Sequence, residues 1–327
     1  MKVLLLGGTG TISSAVVREA ISEGWETTIL NRGNWPGALV EDAQLLKCDI
    51  NNEETVRDAI QGQVFDVIVD FIAYSQPDIE RDYCLFRDAT SQFIFISTAA
   101  VYYKRSNRPY INEGTPATNI GWKYSREKIA CENFLFDKYG RDNFPITIVR
   151  PSQIYDGVSV PVPGNSAFYP TIRRIRQDKS IIVRGDGTTF WTVTFSSDFA
   201  AGFVRLLGSP QAIGEVYHIT SDENLTWNQI TVALATALGC EAKIVHIPSE
   251  ALVKMRPDLE GRLLFDSVHC SIFDNTKIKN GVPRVFAKTR FDQVVRIAVD
   301  YIEATEHSYK AELEFDWWCD EVIEKCG

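Results

Sequence analysis

The 327-residue sequence has no C-x-x-C pair, no low-complexity tract and no internal repeat. Its seven cysteines, Cys48, Cys84, Cys131, Cys240, Cys270, Cys319 and Cys326, are scattered and odd in number, so they read as reduced, mostly buried thiols. No apolar run approaches the roughly 18 residues of a membrane span, which sets a membrane aside. The N-terminus enters a strand-like run at once, without the charged region, apolar stretch and cleavage site of a signal peptide, and the expected location is cytoplasmic. His218, His246, His269 and His307 stand apart from one another and from cysteine, so no metal site is expected. Basic residues are in deficit: 34 Lys and Arg against 43 Asp and Glu give a formal net charge of −9. That field repels phosphate backbones, and nucleic acid is not an expected partner.

Apolar material is plentiful at 45% of residues, enough for one large domain or two modest ones. Lys2 to Leu6 is a short apolar run, followed by the glycine-rich "GGTGTIS" and an amphipathic stretch from Ile12 to Glu23 that stops at Gly24: strand, loop, helix. "WETTILNRG" and "AQLLKCDI" predict further strands, and "NEETVRDAI" a helix capped by Asn52. "FDVIVDFIAY" and "SQFIFISTAAVYY" read as buried strands around the helical "DIERDYCLFRDA", and "FPITIVRP" as a sixth strand. Strands that alternate with helices and are apolar on both faces predict an α/β fold with a doubly wound parallel sheet. The rhythm breaks at "SVPVPGNSAFYP", read as a surface loop opening a second lobe. Residues 1–155 are expected to form the first domain. Residues 156–327 form mainly a smaller mixed lobe, with some segments returning to the first sheet. Within that lobe "TWNQITVALATALG" predicts a helix with a Thr226 to Gln229 capping box and a Gly239 stop. "RFDQVVRIAVDYIEATEHSY" predicts an amphipathic helix, and Trp317 and Trp318 a C-terminal helix docked on the core.

Gly7 and Gly10 sit between the first strand and the first helix, where backbone N–H groups and the helix dipole can hold a pyrophosphate. Ser13 occupies the place of a third glycine. At the end of the second strand, Asn31 and Arg32 stand where a ribose-gripping carboxylate is usual, which favours a 2′-phosphate and hence NADP, with NAD as the alternative. The alternative for Arg32 is that it merely points into solvent beside Gly33, and Asp49 can bond an adenine amino group or merely flank a helix. Tyr124 and Lys128 are four apart in "YSREK", so on a helix they share a face and the ammonium can lower the phenol's pKa. Thr98, at the end of the fifth strand, lies at the ligand-binding edge of such a sheet. A Y-x-x-x-K pair is often structural; behind a nucleotide turn and a hydroxyl-bearing strand end, the catalytic reading is the better one.

The ordered set "GGTGTIS", "CDI", "FISTAAVY", "YSREK" and "IVRPSQIY" resembles the extended short-chain dehydrogenase/reductase family, as far as "TVTFSSDFA". The resemblance implies a Rossmann domain binding NAD(P), a small-molecule substrate in the smaller lobe, and Thr98, Tyr124 and Lys128 as the catalytic trio. The expected cofactor-binding set is Gly7, Gly10, Thr11, Ile12, Asn31, Arg32, Asp49, Ile50, Ala73, Tyr124, Lys128, Pro151 and Ser152. The implied activity is hydride transfer on a secondary alcohol or ketone, possibly sugar-like, as net oxidoreduction or epimerisation. The alternative is a non-catalytic NAD(P)-binding sensor or RNA-associated protein of the same fold.

Departures from the family pattern narrow this reading. In sugar-nucleotide enzymes of the family an Arg-Asp pair follows the G-D-G turn; here Trp191 and Thr192 follow Gly185, Asp186 and Gly187, removing a diphosphate clamp. Ala99 and Ala100 replace the acid pair of dehydratases. The segment before "FIFIS" is short, as in the branch that includes the chloroplast stem-loop-binding proteins, and leaves monomer and homodimer both open. Arg173, Arg174 and Arg176 form a basic cluster, read as a solvated helix face or an anion contact.

Overall fold

The computed structural model describes residues 1–34, 42–104, 110–163, 168–281, 288–305 and 311–327, so His307 lies outside the described residues. The first half follows the strand–helix alternation: β1 (Lys2–Leu6), α1 (Thr11–Ser22), β2 (Glu26–Asn31), β3 (Gln44–Lys47), α2 (Glu53–Ile60), β4 (Val67–Asp70), α3 (Gln76–Phe86), β5 (Phe93–Ile96), α4 (Lys123–Asp142) and β6 (Ile146–Val149). After it come β7 (Gln153–Tyr155), α5 (Phe168–Arg176), β8 (Ile181–Arg184), β9 (Phe190–Phe195), α6 (Ser196–Phe203), β10 (Val216–Tyr217), β11 (Asn224–Thr226), α7 (Trp227–Ala237) and β12 (Ile244–Ile247). The chain ends with α8 (Ser249–Met255), the short turn α9 (Glu260–Arg262) running into a wide helical turn at Leu263–Ser267, α10 (Thr276–Gly281), α11 (Phe291–Ala304) and α12 (Ala311–Cys326).

Seven parallel strands form the main sheet in the order β3-β2-β1-β4-β5-β6-β10. The alternating side chains of β1 explain its apolar run. Val3 and Leu5 pack with α1 and α6 on one face, Leu4 and Leu6 with α2, α3 and α4 on the other, and all four are fully buried. The winding reverses between β1 and β4, opening a crevice at the carboxyl ends of these strands, which is where ligands bind in sheets of this type. β10, from the second half, extends the sheet beside β6.

The second lobe carries two small sheets, β11-β9-β7 and β12-β8. Its main core joins Trp191, Trp227, Ile230, Leu234, Phe291 and Val295. The capping box of α7 forms as its sequence dictates, with Thr226 Oγ1 accepting from Gln229 N at 3.2 Å and Gln229 Oε1 from Thr226 N at 2.8 Å. Gly239 follows at φ +68°. Two expectations change. Val160 to Pro163 is not surface loop: Val160 and Val162 are buried in the lobe core, because proline and glycine signal irregular backbone without signalling exposure; residues 164–167 of that stretch lie outside the described residues. The arginine cluster is structural. Arg174 is buried and bonds Asp316 Oδ1 at 3.1 Å and Asp320 Oδ1 at 2.8 Å, docking α12, while Arg176 pairs with Glu303. On α12 itself Trp318 packs inward with Cys319 and Val322, and Trp317 faces solvent.

Candidate active site

The turn after β1 is shaped by two glycines. Gly7 and Gly8 adopt φ +109° and +83°; a Cβ on Gly7 would stand 2.9 Å from Ile72 Cγ2, and one on Gly8 2.5 Å from Ile29 Cγ2. Gly8 is one that the sequence reading missed, although it stands in the same "GGTG". Gly10 has ordinary extended geometry, φ −88° and ψ 175°, and a Cβ there would meet only Ser13 Oγ at 3.6 Å. Ser13 is buried, and its Oγ accepts the Gly10 N–H at 2.9 Å, capping α1 from its third position. The N–H groups of Thr11 and Ile12, in the first turn of α1, have no intrahelical acceptor. Both residues line the cleft.

Two cavities flank this turn and meet at Gly7, Thr9 and Ile72. The outer one, of about 400 Å³, is lined by Asn31, Arg32, Asp49, Ile50 and, unanticipated from sequence, Arg81 of α3. Asn31 ties two turns together, donating to Gly7 O at 3.4 Å and accepting from Gly33 N at 2.8 Å. Arg32 and Asp49 are exposed, and Asp49 Oδ1 accepts from Asn51 N at 3.0 Å. The inner cavity, of about 410 Å³, is lined by Gly10, Thr11, Ile12, Tyr74, Thr98, Tyr124, Lys128, Pro151 and Ser152. Every expected site residue except Ala73 thus reaches one cavity or the other. Ala73 is buried and contributes its carbonyl to Lys128.

Tyr124 and Lys128 lie on the first turns of α4, and Thr98 stands two residues past β5, where its Oγ1 accepts from Ala100 N at 3.2 Å. Lys128 Nζ donates to Ala73 O at 2.7 Å and Ile96 O at 2.8 Å and sits 4.7 Å from the Tyr74 ring centroid. An ammonium has three donors, so one is left for a group in the cleft. Burial lowers its pKa to about 8 against the opposing pull of Asp70. Tyr124 is half-buried between Trp122 and Tyr74, at 4.9 and 6.3 Å between ring centroids. Its phenol is not lowered, as the helix spacing suggested, but pushed up to about 12 by burial, with Thr98 hydrogen bonding opposing and Tyr74 and Asp266 adding to the rise. Lys128 is spent on two carbonyls and is absent from the groups acting on that phenol.

Beneath the cleft, Asp70 Oδ1 accepts from Ile72 N at 2.8 Å and Ala73 N at 3.0 Å, fixing the loop whose carbonyl holds Lys128. Asp70 and Asp82 are both fully buried, and the Oδ2 of each lacks an N–H or hydroxyl donor. Burial and the adjacent Asp70 raise the Asp82 pKa strongly, so a proton retained on Asp82 satisfies both carboxyl groups. Behind Thr98, Ser97 Oγ donates to Glu132 at 2.5 Å, and Arg150 forks onto the same carboxylate at 2.9 and 2.5 Å. This pair ties β5, α4 and β6 together.

A family model described as the NAD dependent epimerase/dehydratase family matches residues 3–220. The chain belongs to that family. Members of the NAD-dependent epimerase/dehydratase family are enzymes, and the extended short-chain resemblance read from the motifs is the same assignment. Among curated relatives, the chloroplast stem-loop binding protein of 41 kDa b from Arabidopsis thaliana is 25% identical over 259 residues, 75% of this chain. The match spans 65% of that protein, just under two thirds. The 2′-dehydrokanamycin reductase of Streptomyces kanamyceticus is 20% identical over 263 residues, covering 80% of this chain and 73% of that one. Among solved structures, dTDP-glucose 4,6-dehydratase from Bacillus anthracis in complex with NAD has a TM-score of 0.74 at 20% identity, covering 94% of this chain and 97% of that chain. UDP-glucuronic acid 4-epimerase from Bacillus cereus, in complex with UDP-glucuronic acid and NAD, has a TM-score of 0.69 at 20% identity over 93% and 99% of the two chains. At these identities the likeness is one of fold. No helix among the described residues is long and apolar enough to cross a membrane.

Proposed function

We propose that this family member is an NADP-preferring oxidoreductase or epimerase that acts on a secondary alcohol or ketone of a sugar-like small molecule. The observation that carries the reading is that Thr98, Tyr124 and Lys128 share one cavity wall with the first turn of α1. When bound, the nicotinamide supplies or takes the hydride. Tyr124, kept as the neutral phenol by burial, gives its proton to a ketone oxygen and recovers it in the reverse direction. Thr98 orients that oxygen, and the third donor of Lys128 is available for the cofactor ribose. The preference for a 2′-phosphate rests on Arg32 in the outer cavity, with an amide at Asn31 where a carboxylate would repel it; Arg81, on the same cavity, is engaged by Asp82 Oδ1 and Asn51 Oδ1, each at 2.8 Å.

Titration of NADPH into the protein by fluorescence, followed by Tyr124→Phe on a panel of ketones and sugars, tests this. The variant is expected to bind NADPH within about twofold of wild type and to lose on the order of 10²- to 10⁴-fold in turnover. Arg32→Ala is expected to weaken NADPH binding by about tenfold while sparing NADH. If wild type and Tyr124→Phe act identically on every substrate while cofactor still binds, the protein is instead a cofactor-binding module.

A further inference from the structure

Two distant segments interlock beside Tyr124. A Cβ on Gly121 would stand 1.8 Å from Phe265 Cδ1, and one on Gly261 2.1 Å from Trp122 Cδ1, so each segment carries a glycine that admits the other's ring. Asn119 fastens the joint, its Nδ2 donating to Ala100 O at 2.8 Å and to Phe265 O at 2.9 Å. The Trp122 ring so held lies 4.9 Å from that of Tyr124, centroid to centroid.

A third cavity, of about 190 Å³, opens at this joint. Its surface is mostly apolar: Ile120 and Tyr103, 69% and 43% exposed, line it with Phe265 and the bare backbone of Gly121. The ammonium and the amide that border it are committed elsewhere. Lys104 Nζ is held by Asp266, by Ser271 Oγ at 2.8 Å and by the face of Trp191, 4.8 Å from the ring centroid, which accounts for its three donors. Both N–H groups of the Asn119 amide go to the two backbone carbonyls of the joint. Thr118 and His269 complete the lining, and no arginine or carboxylate is part of it. None of these residues lies in the motifs that carry the family resemblance.

We propose that this cavity receives an uncharged, largely apolar six-membered ring of the substrate, aryl or alicyclic, joined to the carbon that reacts at Tyr124. The volume suits one such ring, since an apolar cavity of about 150 Å³ holds benzene. The position suits it too: Gly121 lines the cavity three residues before Tyr124, so the chain keeps their Cα atoms within about 11 Å. A charged substituent would lose its hydration here and find no free counter-charge. That agrees with Trp191 standing where a diphosphate-binding arginine was read as lost. The inference rests on reading the inner cavity as the reaction site, and it narrows the substrate class.

The test is binding without turnover. Acetophenone, a phenyl ring bearing a ketone, is titrated into the cofactor-free protein and followed by ligand-observed NMR, with phenyl phosphate as the charged comparison. Acetophenone is expected to bind with a Kd on the order of 1 mM, and phenyl phosphate at least about fivefold more weakly. Ile120→Asp and Tyr103→Ala, both at exposed positions that the fold can spare, should each weaken acetophenone by about fivefold or more, while NADP⁺ leaves its affinity within about twofold. No saturable binding up to about 20 mM, or phenyl phosphate binding as tightly, would overturn the proposal. So would binding that survives both substitutions or that NADP⁺ displaces, which would place the ring in the inner cavity. An empty third cavity leaves the hydride-transfer reading standing, and a protein inactive on every substrate leaves this titration readable.

Discussion

The two walls of the cleft are built differently. The side of the glycine turn is made of backbone: glycines that place a turn, first-turn N–H groups of α1, and the carbonyls of Ala73 and Ile96 that seat Lys128. The lobe side is made of long side chains brought together from distant positions, with Lys104 meeting Asp266 across 162 residues. A wall of backbone tolerates change in its side chains but not in its conformation, whereas a wall of buried charges fails when either partner is removed. The largest effect is therefore expected at Asp266. Asp266→Asn leaves Lys104 buried without its counter-charge and should cost about 3–5 kcal/mol in urea unfolding. A loss under about 1 kcal/mol would show that the pair is well hydrated and that the contrast between the walls is weaker than it looks.

The same difference decides what could be read in the sequence. Local spacing exposed the glycine turn, the Asn52 cap on α2, the capping box of α7 and the shared face of Tyr124 and Lys128, because each is set by residues three or four apart. The order of strands and helices gave the doubly wound sheet for the same reason. Spacing did not reveal what Lys128 bonds. Its acceptors come from the loop after β4 and from β5, so a lysine four residues from a tyrosine turned out to leave the phenol's pKa alone. Arg174 was ambiguous because its partners sit more than 140 residues away on α12. The Lys104–Asp266 pair was invisible because its members stand 162 residues apart, in a loop before α4 and in the turn after α9.

On the backbone wall, Gly8 and Gly10 should separate conformation from ligand access. Gly8→Ala combines φ +83° with a Cβ 2.5 Å from Ile29 and should cost about 1–3 kcal/mol in stability. Gly10→Ala meets neither obstacle and should change stability by less than about 0.5 kcal/mol, so any loss of NADPH affinity there reports the ligand alone. Equal destabilisation by both would contradict the geometry of the turn.

The Asp70–Asp82 pair gives the backbone wall a pH signature. Because burial and Asp70 raise the Asp82 pKa in the folded state, its contribution to stability is complete below the ordinary carboxylate value near 4 and is lost as pH rises towards the raised value. Stability should fall over that window in wild type, and Asp82→Asn should remove that part of the fall, with a gain of about 1 kcal/mol at alkaline pH. Parallel pH profiles for the two proteins would mean that Asp82 ionises normally.

A small effect is expected at Ser13, where the two functions of a helix N-terminus compete. Its Oγ takes the Gly10 N–H, so the serine stabilises α1 and withdraws that donor from any anion in the cleft. Ser13→Gly removes the bond and adds backbone entropy to the unfolded chain, for a loss of about 0.5–1 kcal/mol. It also frees the donor, so NADPH affinity should hold or rise by up to about threefold even as the melting temperature drops. A variant that loses affinity along with stability would show that the cofactor needs the turn as Ser13 holds it, and that this wall too depends on a side chain.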